Sequence, residues 1–467
     1  KSFRCCEEKG GSSMKSIQSI RRGERLIILI LIVFFLGMAI LVWKVVHESA
    51  FYMSHSSDVT LGMVYDRKEQ VLFDPNASTE TYDPSYFIDV GNVIGDDSGQ
   101  MTNTLVSENI EDLQNYSLIF GATPHGNAAI YSTLDHSVNQ TVYNAFGSKN
   151  GAAIAYNYQT GEILVCVSKP SVNVLDEYTN VSELPEGSLI CKAFYETVPG
   201  STQKIATTAA ALEEYGYDGL LSRSYTCNGI YTTKYNQQIK CHDLNGHGTE
   251  NIIQGFENSC NPFFAQLVQD LPLDRLISTY TQMGISVNGA KQNVIDIDGI
   301  SSFSASALLT DTSDFDTMWS CMGQSETLAS PCQMMMWESA IANATGQVTM
   351  AHLIDHKTSV TGKTTYTAKT SYGDTIFSAE IASELKQIMR QNGQDRYASI
   401  GYPVGVKSGT AQVENGAKEN SLLVGFNDDP NLPIAFCVVI EDRVSGELST
   451  SDLVSTMLQA LDSSLHA

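Results

Sequence analysis

The sequence predicts an α+β fold in which one five-stranded antiparallel sheet is covered by helices. Two apolar runs, residues 151–157 and 163–167, flank a turn and predict a hairpin. Three further apolar runs alternate with turns near the C-terminus and predict strands over residues 405–413, 421–426 and 434–440. Helices are predicted between the two groups and again over residues 451–465. The sheet must therefore form by pairing between distant parts of the chain, with the helices packed over it.

The N-terminal part predicts a membrane anchor. Residues 26–46, LIILILIVFFLGMAILVWKVV, are apolar apart from Lys44, which is enough for one helical span of about 20 residues. Residues 1–25 hold seven Lys or Arg and three acidic residues, so we expect this tail to be cytoplasmic and the remaining chain extracytoplasmic. A cleaved signal peptide is the alternative. However, the apolar run exceeds the usual length of about 7–15 residues, and no small-x-small cleavage site follows it closely.

Composition bounds the remaining organisation. A chain of 467 residues with 42% hydrophobic content can bury a sizeable core. We predict a tail (1–25), an anchor (26–46), a stalk with a small mixed pedestal domain (47–145) and a catalytic domain (146–467). The formal net charge of -24 argues against a nucleic-acid partner. Residues 61–145 contain no motif with chemical content and are predicted to be a spacer.

Eight cysteines follow the predicted span, on the side of the membrane where disulfides persist. Cys227 and Cys241 bracket a short polar segment and are the best candidate pair, although the pairing stays open. His242 and His247 lie near Cys241, but the chain has no Cys-x-x-Cys or His-Glu-x-x-His pattern. We therefore predict no metal site.

The segment around Ser201 is the first candidate for catalysis. It follows a Pro-Gly turn and opens an Ala- and Leu-rich stretch that predicts a helix, on which Ser201 and Lys204 would share one face. A serine hydroxyl needs a base within hydrogen-bond reach to act as a nucleophile. A lysine is suitable when burial lowers its pKa. Ser-x-x-Lys alone is a weak pattern, because Ser12 and Lys15 match it by chance.

A second motif, Ser-x-Asn, lies in the helical middle of the chain at Ser259 and Asn261. The Ser259 hydroxyl is suited to relaying a proton, and the Asn261 amide to holding a substrate carbonyl or the lysine. This motif alone carries little information, because several other serines begin the same pattern.

The third motif is Lys407-Ser408-Gly409-Thr410 on a predicted C-terminal strand. Lys407 can bind a carboxylate or tune nearby protons. Gly409 allows a substrate to lie close against the strand edge. We predict that the backbone N–H of Thr410 forms an oxyanion hole with that of Ser201.

The three motifs, in this order, resemble those of the penicillin-binding proteins and serine β-lactamases. Further segments extend the resemblance over most of residues 146–467. They are residues 160–164 (TGEIL), 199–204 (PGSTQK), 246–248 with 259–261 (GHG and SCN), 323–324 with 330–331 and 340–343 (GQ, SP and AIAN), and 407–412 (KSGTAQ).

The resemblance implies a β-lactamase/transpeptidase-like fold and a serine acyl transferase that needs no cofactor. Its substrates would be peptidoglycan stem peptides ending in D-Ala-D-Ala, and β-lactam antibiotics would acylate it. The implied catalytic residues are Ser201, Lys204, Ser259, Asn261 and Lys407, and the implied substrate-binding residues are Ser408, Gly409 and Thr410.

The anchor, the short region 61–145 and the absence of a long glycosyltransferase domain resemble class B monofunctional transpeptidases. The implied location is the bacterial cell membrane, and the implied partners are a membrane glycan polymerase and other wall-synthesis proteins. Two features depart from the family pattern. Ser408 replaces the commoner threonine but keeps a hydroxyl, and region 61–145 is shorter than in many members.

Four alternatives stay open from the sequence. A D,D-carboxypeptidase would use water as the acceptor, and a β-lactamase-like hydrolase would release the drug. The chain lacks a Glu-x-x-Leu-Asn deacylating segment, which disfavours the hydrolase. A β-lactam sensor would carry a further signalling domain, and none is recognisable in the sequence. A non-catalytic scaffold of the wall-synthesis complex need not keep the motif residues.

Overall fold

The computed structural model describes residues 10–54, 59–83, 85–117, 121–123, 125–175, 181–413 and 417–466. The helices of these residues are α1 (Gly10–Ser54), α2 (Gly91–Ile94), α3 (Leu105–Glu108), α4 (Ile110–Leu113), α5 (His136–Ala145), α6 (Lys204–Leu221), α7 (Ile252–Glu257), α8 (Asn261–Asp270), α9 (Leu273–Gln282), α10 (Phe315–Ser320), α11 (Pro331–Ala342), α12 (Ala379–Arg396) and α13 (Thr450–Leu465).

The strands of the same residues are β1 (Met63–Tyr65), β2 (Val71–Phe73), β3 (Tyr116–Ser117), β4 (Gly121–Ala122), β5 (Ala129–Ser132), β6 (Gly151–Asn157), β7 (Ile163–Lys169), β8 (Tyr225–Cys227), β9 (Ile230–Thr232), β10 (Gln238–Lys240), β11 (Gly248–Glu250), β12 (Ile285–Val287), β13 (Val294–Ile297), β14 (Ile300–Phe303), β15 (Ala305–Ala307), β16 (Leu328–Ala329), β17 (Gln347–Thr349), β18 (Ile354–Thr358), β19 (Thr364–Thr367), β20 (Tyr372–Thr375), β21 (Val404–Val413), β22 (Lys418–Asn427) and β23 (Ile434–Ile440).

The chain divides into two units. The first comprises residues 1–60 and 114–126, whose described part holds α1 and the β3–β4 hairpin. Within α1, the segment Arg21–Lys44 is long and apolar enough to cross a membrane, in agreement with the predicted single-pass anchor. The first nine residues of the predicted tail lie outside the described residues.

The second unit comprises residues 61–113 and 127–467 and is built on the predicted sheet. Its strands run β21-β22-β23-β6-β7, and every neighbouring pair is antiparallel. Successive residues of β6 belong to two different cores: Ile154 packs in one, and Ala153 and Ala155 pack in the other. Both faces are covered by helices, which explains why the strands are continuously apolar rather than alternating. The predicted fold class is confirmed.

Two helical layers cover this sheet. Side chains of α5 and α13, such as Val138 and Leu458, pack on one face. Side chains of α6 and α11, such as Ala209 and Met335, pack on the other. Within α6, Gly216 takes φ 65° and ψ 171°, which are not helical values, so the helix that begins at Lys204 is kinked there before it continues to Leu221.

The region predicted as a pedestal also contributes strands to a second sheet, in the order β19-β18-β5-β1-β2. Strands β18 and β19 come from residues 354–367, inside the segment predicted as the catalytic domain. Residues 61–113 and 127–145 thus lie in the same unit as residues 146–467. The middle of the chain, expected to be mainly helix and loop, also contains short strands from β8 to β20.

Candidate active site

Ser201 and Lys204 lie where a tight turn enters helix α6. Ser201 is in the 3₁₀ turn Gly200–Gln203, one turn before the α-helix predicted to hold it, and Lys204 is the first residue of α6. The Lys204 side chain is completely buried, and its Nζ lies 3.0 Å from Ser201 Oγ. Burial lowers the pKa of Lys204 from 10.5 to about 7. The structure therefore brings together a hydroxyl and an amine that is partly neutral at pH 7.

The other neighbours of Lys204 fit a neutral amine. Its Nζ donates to the carbonyl oxygen of Ser259 at 2.7 Å and to Asn261 Oδ1 at 2.8 Å. A neutral amine has two hydrogens and one lone pair. When these two acceptors take both hydrogens, the lone pair is available to the Ser201 O–H, and Ser259 Oγ at 3.2 Å is the fourth polar neighbour. Asn261 is itself held by its Nδ2, which donates to the carbonyl oxygen of Lys240 at 3.1 Å.

Ser259 connects the two lysines. Its Oγ lies 3.2 Å from Lys204 Nζ and 3.0 Å from Lys407 Nζ. Ser259 lies in the short connection from α7 to α8 and has a φ of 49°, a left-handed conformation that costs a non-glycine residue energy. Lys407 is also buried, and desolvation together with the charge of Lys204 lowers its pKa well below the usual value. Such a chain of amine, hydroxyl and amine can move a proton.

Strand β21 runs close against the nucleophile turn. A Cβ on Gly409 would lie 2.6 Å from the carbonyl oxygen of Pro199, and a Cβ on Gly200 would lie 2.6 Å from that of Thr410. Gly200 also has a φ of 55°, which favours glycine. Neither position has room for a side chain, and these two glycines allow the strand and the turn to approach.

One cavity of about 460 Å³ brings the predicted polar side chains together. It is lined by Ser201, Ser259, Asn261, Ser408 and Thr410, whereas the two buried lysines do not line it. The cavity is also lined by residues for which the sequence predicted no role in the site: Gln238, Lys240, Cys241, His242, Phe315, Trp319, Met322, Gln324, Gln412 and Glu419. Phe315 and Trp319 stack with ring centroids 5.7 Å apart. Most of these wall residues lie outside any motif, and sequence spacing gives no sign that they meet.

The cysteines differ from the expectation. Cys227 and Cys241 do lie close together, but Cys260 and His247 join them, and the four ligand atoms are all within 4.8 Å of one another. A hydrogen bond from the Cys260 thiol lowers the pKa of the Cys241 thiol. No local spacing in the sequence indicated this cluster, because distant segments of the chain assemble it. The absence of a metal site stays a prediction.

Comparison with known proteins identifies a matching family. Residues 151–458 match the family described as penicillin binding protein transpeptidase domain. The chain is 28% identical over 297 residues to stage V sporulation protein D of Bacillus subtilis, which covers 61% of this chain and 44% of that protein. It is 23% identical to peptidoglycan D,D-transpeptidase PbpA of Mycolicibacterium smegmatis over 69% of each chain.

A solved structure supports the same fold. Penicillin-binding protein A from Mycobacterium tuberculosis, in a ceftriaxone acyl-enzyme complex, superimposes with a TM-score of 0.72 at 18% identity. The match covers 87% of this chain and 98% of that one.

Proposed function

This chain belongs to the penicillin-binding protein transpeptidase family, and on that premise we propose that it is a peptidoglycan D,D-transpeptidase that works through an acyl-enzyme on Ser201. The chain spans less than half the length of the sporulation protein that it matches. The observation that carries the proposal is the continuous set of contacts from Ser201 through Lys204 and Ser259 to Lys407 at one cavity.

Acylation begins with proton transfer from Ser201 Oγ to Lys204 Nζ. The oxygen then attacks the carbonyl carbon of the penultimate D-Ala of a stem peptide. The negative charge that develops on the carbonyl oxygen would be stabilised by the backbone N–H groups of Ser201 and Thr410. A β-lactam presents a carbonyl in a similar position and would acylate the same oxygen.

Departure of the terminal D-Ala requires a proton on its nitrogen. The Ser259 hydroxyl contacts both lysines, which supports a role in passing the proton from Lys204 to the leaving amine. Lys407, Ser408 and Thr410 would hold the terminal carboxylate, and Gly409 would let the peptide lie along β21. An amine of a second stem peptide then attacks the acyl-enzyme, forms the cross-link and frees Ser201.

The proposed setting is the bacterial cell membrane, with a cytoplasmic tail and an extracytoplasmic site. Residues 47–145 would form the stalk and pedestal and residues 146–467 the transpeptidase domain, in line with the family match over residues 151–458. A membrane glycan polymerase and other wall-synthesis proteins would be the partners.

To test this function, the full-length chain in detergent is incubated with a pentapeptide ending in D-Ala-D-Ala and with a D-amino acid as the amine acceptor. Transpeptidation gives a peptide in which the acceptor replaces the terminal D-Ala, and mass spectrometry detects this product. The Ser201→Ala chain is the control and should give none. Shortened peptide without exchange would instead identify a carboxypeptidase, and rapid release of opened penicillin would identify a β-lactamase-like hydrolase. Folded protein that neither replaces the terminal D-Ala of the peptide nor binds penicillin would support a non-catalytic scaffold of the wall-synthesis complex.

A further inference from the structure

Three thiols and one imidazole converge beside the Ser259–Asn261 turn, outside the groups assigned to acyl transfer. Cys227, Cys241 and Cys260 are buried, and His247 is half-buried. Cys241 Sγ lies 3.6 Å from His247 Nδ1. Such a compact group of soft ligands, three sulfurs and a nitrogen, is typical of structural zinc sites.

Backbone pairing explains why the four residues meet. In the β8–β11 ribbon Gly248 pairs with Cys227, which places His247 beside the end of β8. The backbone N–H of Cys241 donates to the carbonyl oxygen of Gly229 at 2.8 Å, so the chain leaving β10 turns back toward the same point. Cys260 precedes α8 as its N-cap residue. Three separate segments therefore deliver their ligand atoms to one place.

We infer that this cluster binds one Zn²⁺ ion. The ligand atoms are Sγ of Cys227, Cys241 and Cys260 and Nδ1 of His247. A tetrahedral zinc ion with Zn–S of about 2.3 Å and Zn–N of about 2.0–2.1 Å separates neighbouring sulfur and nitrogen ligands by about 3.6 Å. The observed separation of Cys241 Sγ and His247 Nδ1 is 3.6 Å. All pairs of the four ligand atoms lie within 4.8 Å of one another.

The chemistry of binding is a ligand exchange without electron transfer. Each of the three S–H groups releases its proton to solvent and forms an S–Zn bond, and the neutral imidazole donates its Nδ1 lone pair. Buried Glu250 lies beside the cluster, with its Oε2 3.8 Å from His247 Nδ1. The three thiolates already outweigh the two positive charges of the ion, so the site itself carries a net charge of -1 and the ion is held by its four ligands rather than by this carboxylate.

The ion would also hold the Ser-x-Asn motif, an inference that rests on the proposed function. Cys260 stands between Ser259 and Asn261, so a bond from its sulfur fixes the strained turn that aims both side chains at Lys204. Cys241 directly follows Lys240, whose carbonyl oxygen holds Asn261. The four ligands are positioning residues in this sense, because they act through Ser259 and Asn261.

The test measures zinc in the full-length chain, purified in detergent under reducing conditions without chelators. We expect about one zinc per chain, and X-ray absorption should show three sulfurs at about 2.3 Å and one nitrogen at about 2.0–2.1 Å. The His247→Cys chain should keep zinc with four sulfurs. This variant tests the ligand set even where His247→Ala fails to fold.

Matched controls separate ligands from neighbours. His242 Nδ1 lies 3.9 Å from Cys241 Sγ, yet His242→Ala should keep zinc. Cys437→Ala removes a buried thiol of the central sheet and should keep zinc as well. Removing zinc from the wild-type chain should slow penicillin labelling by about 100-fold, the effect of misplacing a catalytic group by about 1 Å, and added zinc should restore it.

Three results would overturn the inference. They are wild-type protein that stays free of zinc when zinc is supplied, an absorption spectrum without sulfur ligands, and a Cys241–Cys260 disulfide in protein purified without added oxidant. Zinc content is read independently of catalysis. An inactive chain that holds zinc would therefore count against the proposed function alone, and an active chain that cannot bind zinc would count against the site alone.

Discussion

The rate at which penicillin acylates Ser201 should rise with pH across neutrality, because only the neutral amine of Lys204 can accept the proton. Burial lowers the pKa of this lysine from 10.5 to about 7. Because one pKa unit corresponds to about 1.36 kcal/mol, burial disfavours the charged form of this side chain by roughly 5 kcal/mol relative to the neutral form. A lysine with an ordinary pKa would be neutral in only about 0.03% of molecules at about pH 7, whereas about half of the Lys204 side chains are neutral there.

The pH profile follows from this value. The neutral fraction is about 9% at about pH 6 and about 91% at about pH 8, so the acylation rate constant should increase about tenfold between them and then level off.

The lowered pKa of Lys204 also affects stability. Its folded pKa is lowered, so the folded state binds fewer protons than the unfolded state between pH 7 and 10.5. Its contribution to the free energy of unfolding therefore rises with pH across that window.

The assay follows single-turnover labelling of the full-length chain with a fluorescent penicillin at a series of pH values, with circular dichroism to check that the fold is unchanged. Lys204→Arg is the control, because a guanidinium stays charged and should give almost no labelling at any pH. A rate that is flat between about pH 6 and 8, or that keeps rising toward the pKa of an ordinary lysine, would refute Lys204 as the base.

Three further predictions concern buried or constrained groups. The Glu338 carboxyl is buried and has no hydrogen-bond partner among the described residues, and burial raises its pKa well above 4.5, so its contribution to the free energy of unfolding falls as pH rises above 4.5. Glu338→Gln should remove that decline in denaturant titrations at several pH values, and an unchanged decline would contradict the assignment. Gly216 has a φ and ψ that only glycine adopts easily, so Gly216→Ala should cost about 1–3 kcal/mol although nothing lies within 4 Å of the new Cβ. Gly219→Ala in the same helix should instead stabilise the protein by roughly 0.5–1 kcal/mol, and equal effects of the two would argue against the kink. Gly200→Ala should suppress penicillin labelling, because its Cβ would lie 2.6 Å from the carbonyl oxygen of Thr410, and labelling at the wild-type rate would show that the turn tolerates a side chain.

The parts of the fold that are set by local signals were predictable. The three C-terminal apolar runs lie within the strands β21, β22 and β23, whose ends extend at most a few residues further, and the run 434–440 matches β23 at both ends. The hairpin of β6 and β7 was also found, because the turn between them is short and its residue types are distinctive. The Ser201, Ser259 and Lys407 motifs could be found because each keeps a fixed local spacing.

Features that depend on contacts between distant segments were not predictable. Strands β18 and β19 join the sheet of β1, β2 and β5, a pairing that no local pattern encodes. Ser201 was expected in the α-helix but lies in a 3₁₀ turn, since Gly200 takes a left-handed conformation against β21. The aromatic cavity wall at Phe315 and Trp319, and the meeting of Cys227 with Cys260, likewise arise only when the chain folds.

Whether Ser201 is the acylated nucleophile can be read from the intact mass of the full-length chain after incubation with penicillin, followed by peptide mapping of the adduct. We expect one long-lived adduct per chain, located on Ser201 and absent from Ser201→Ala. An adduct that persists in Ser201→Ala, or folded wild-type protein that forms no adduct, would show that Ser201 is not the nucleophile.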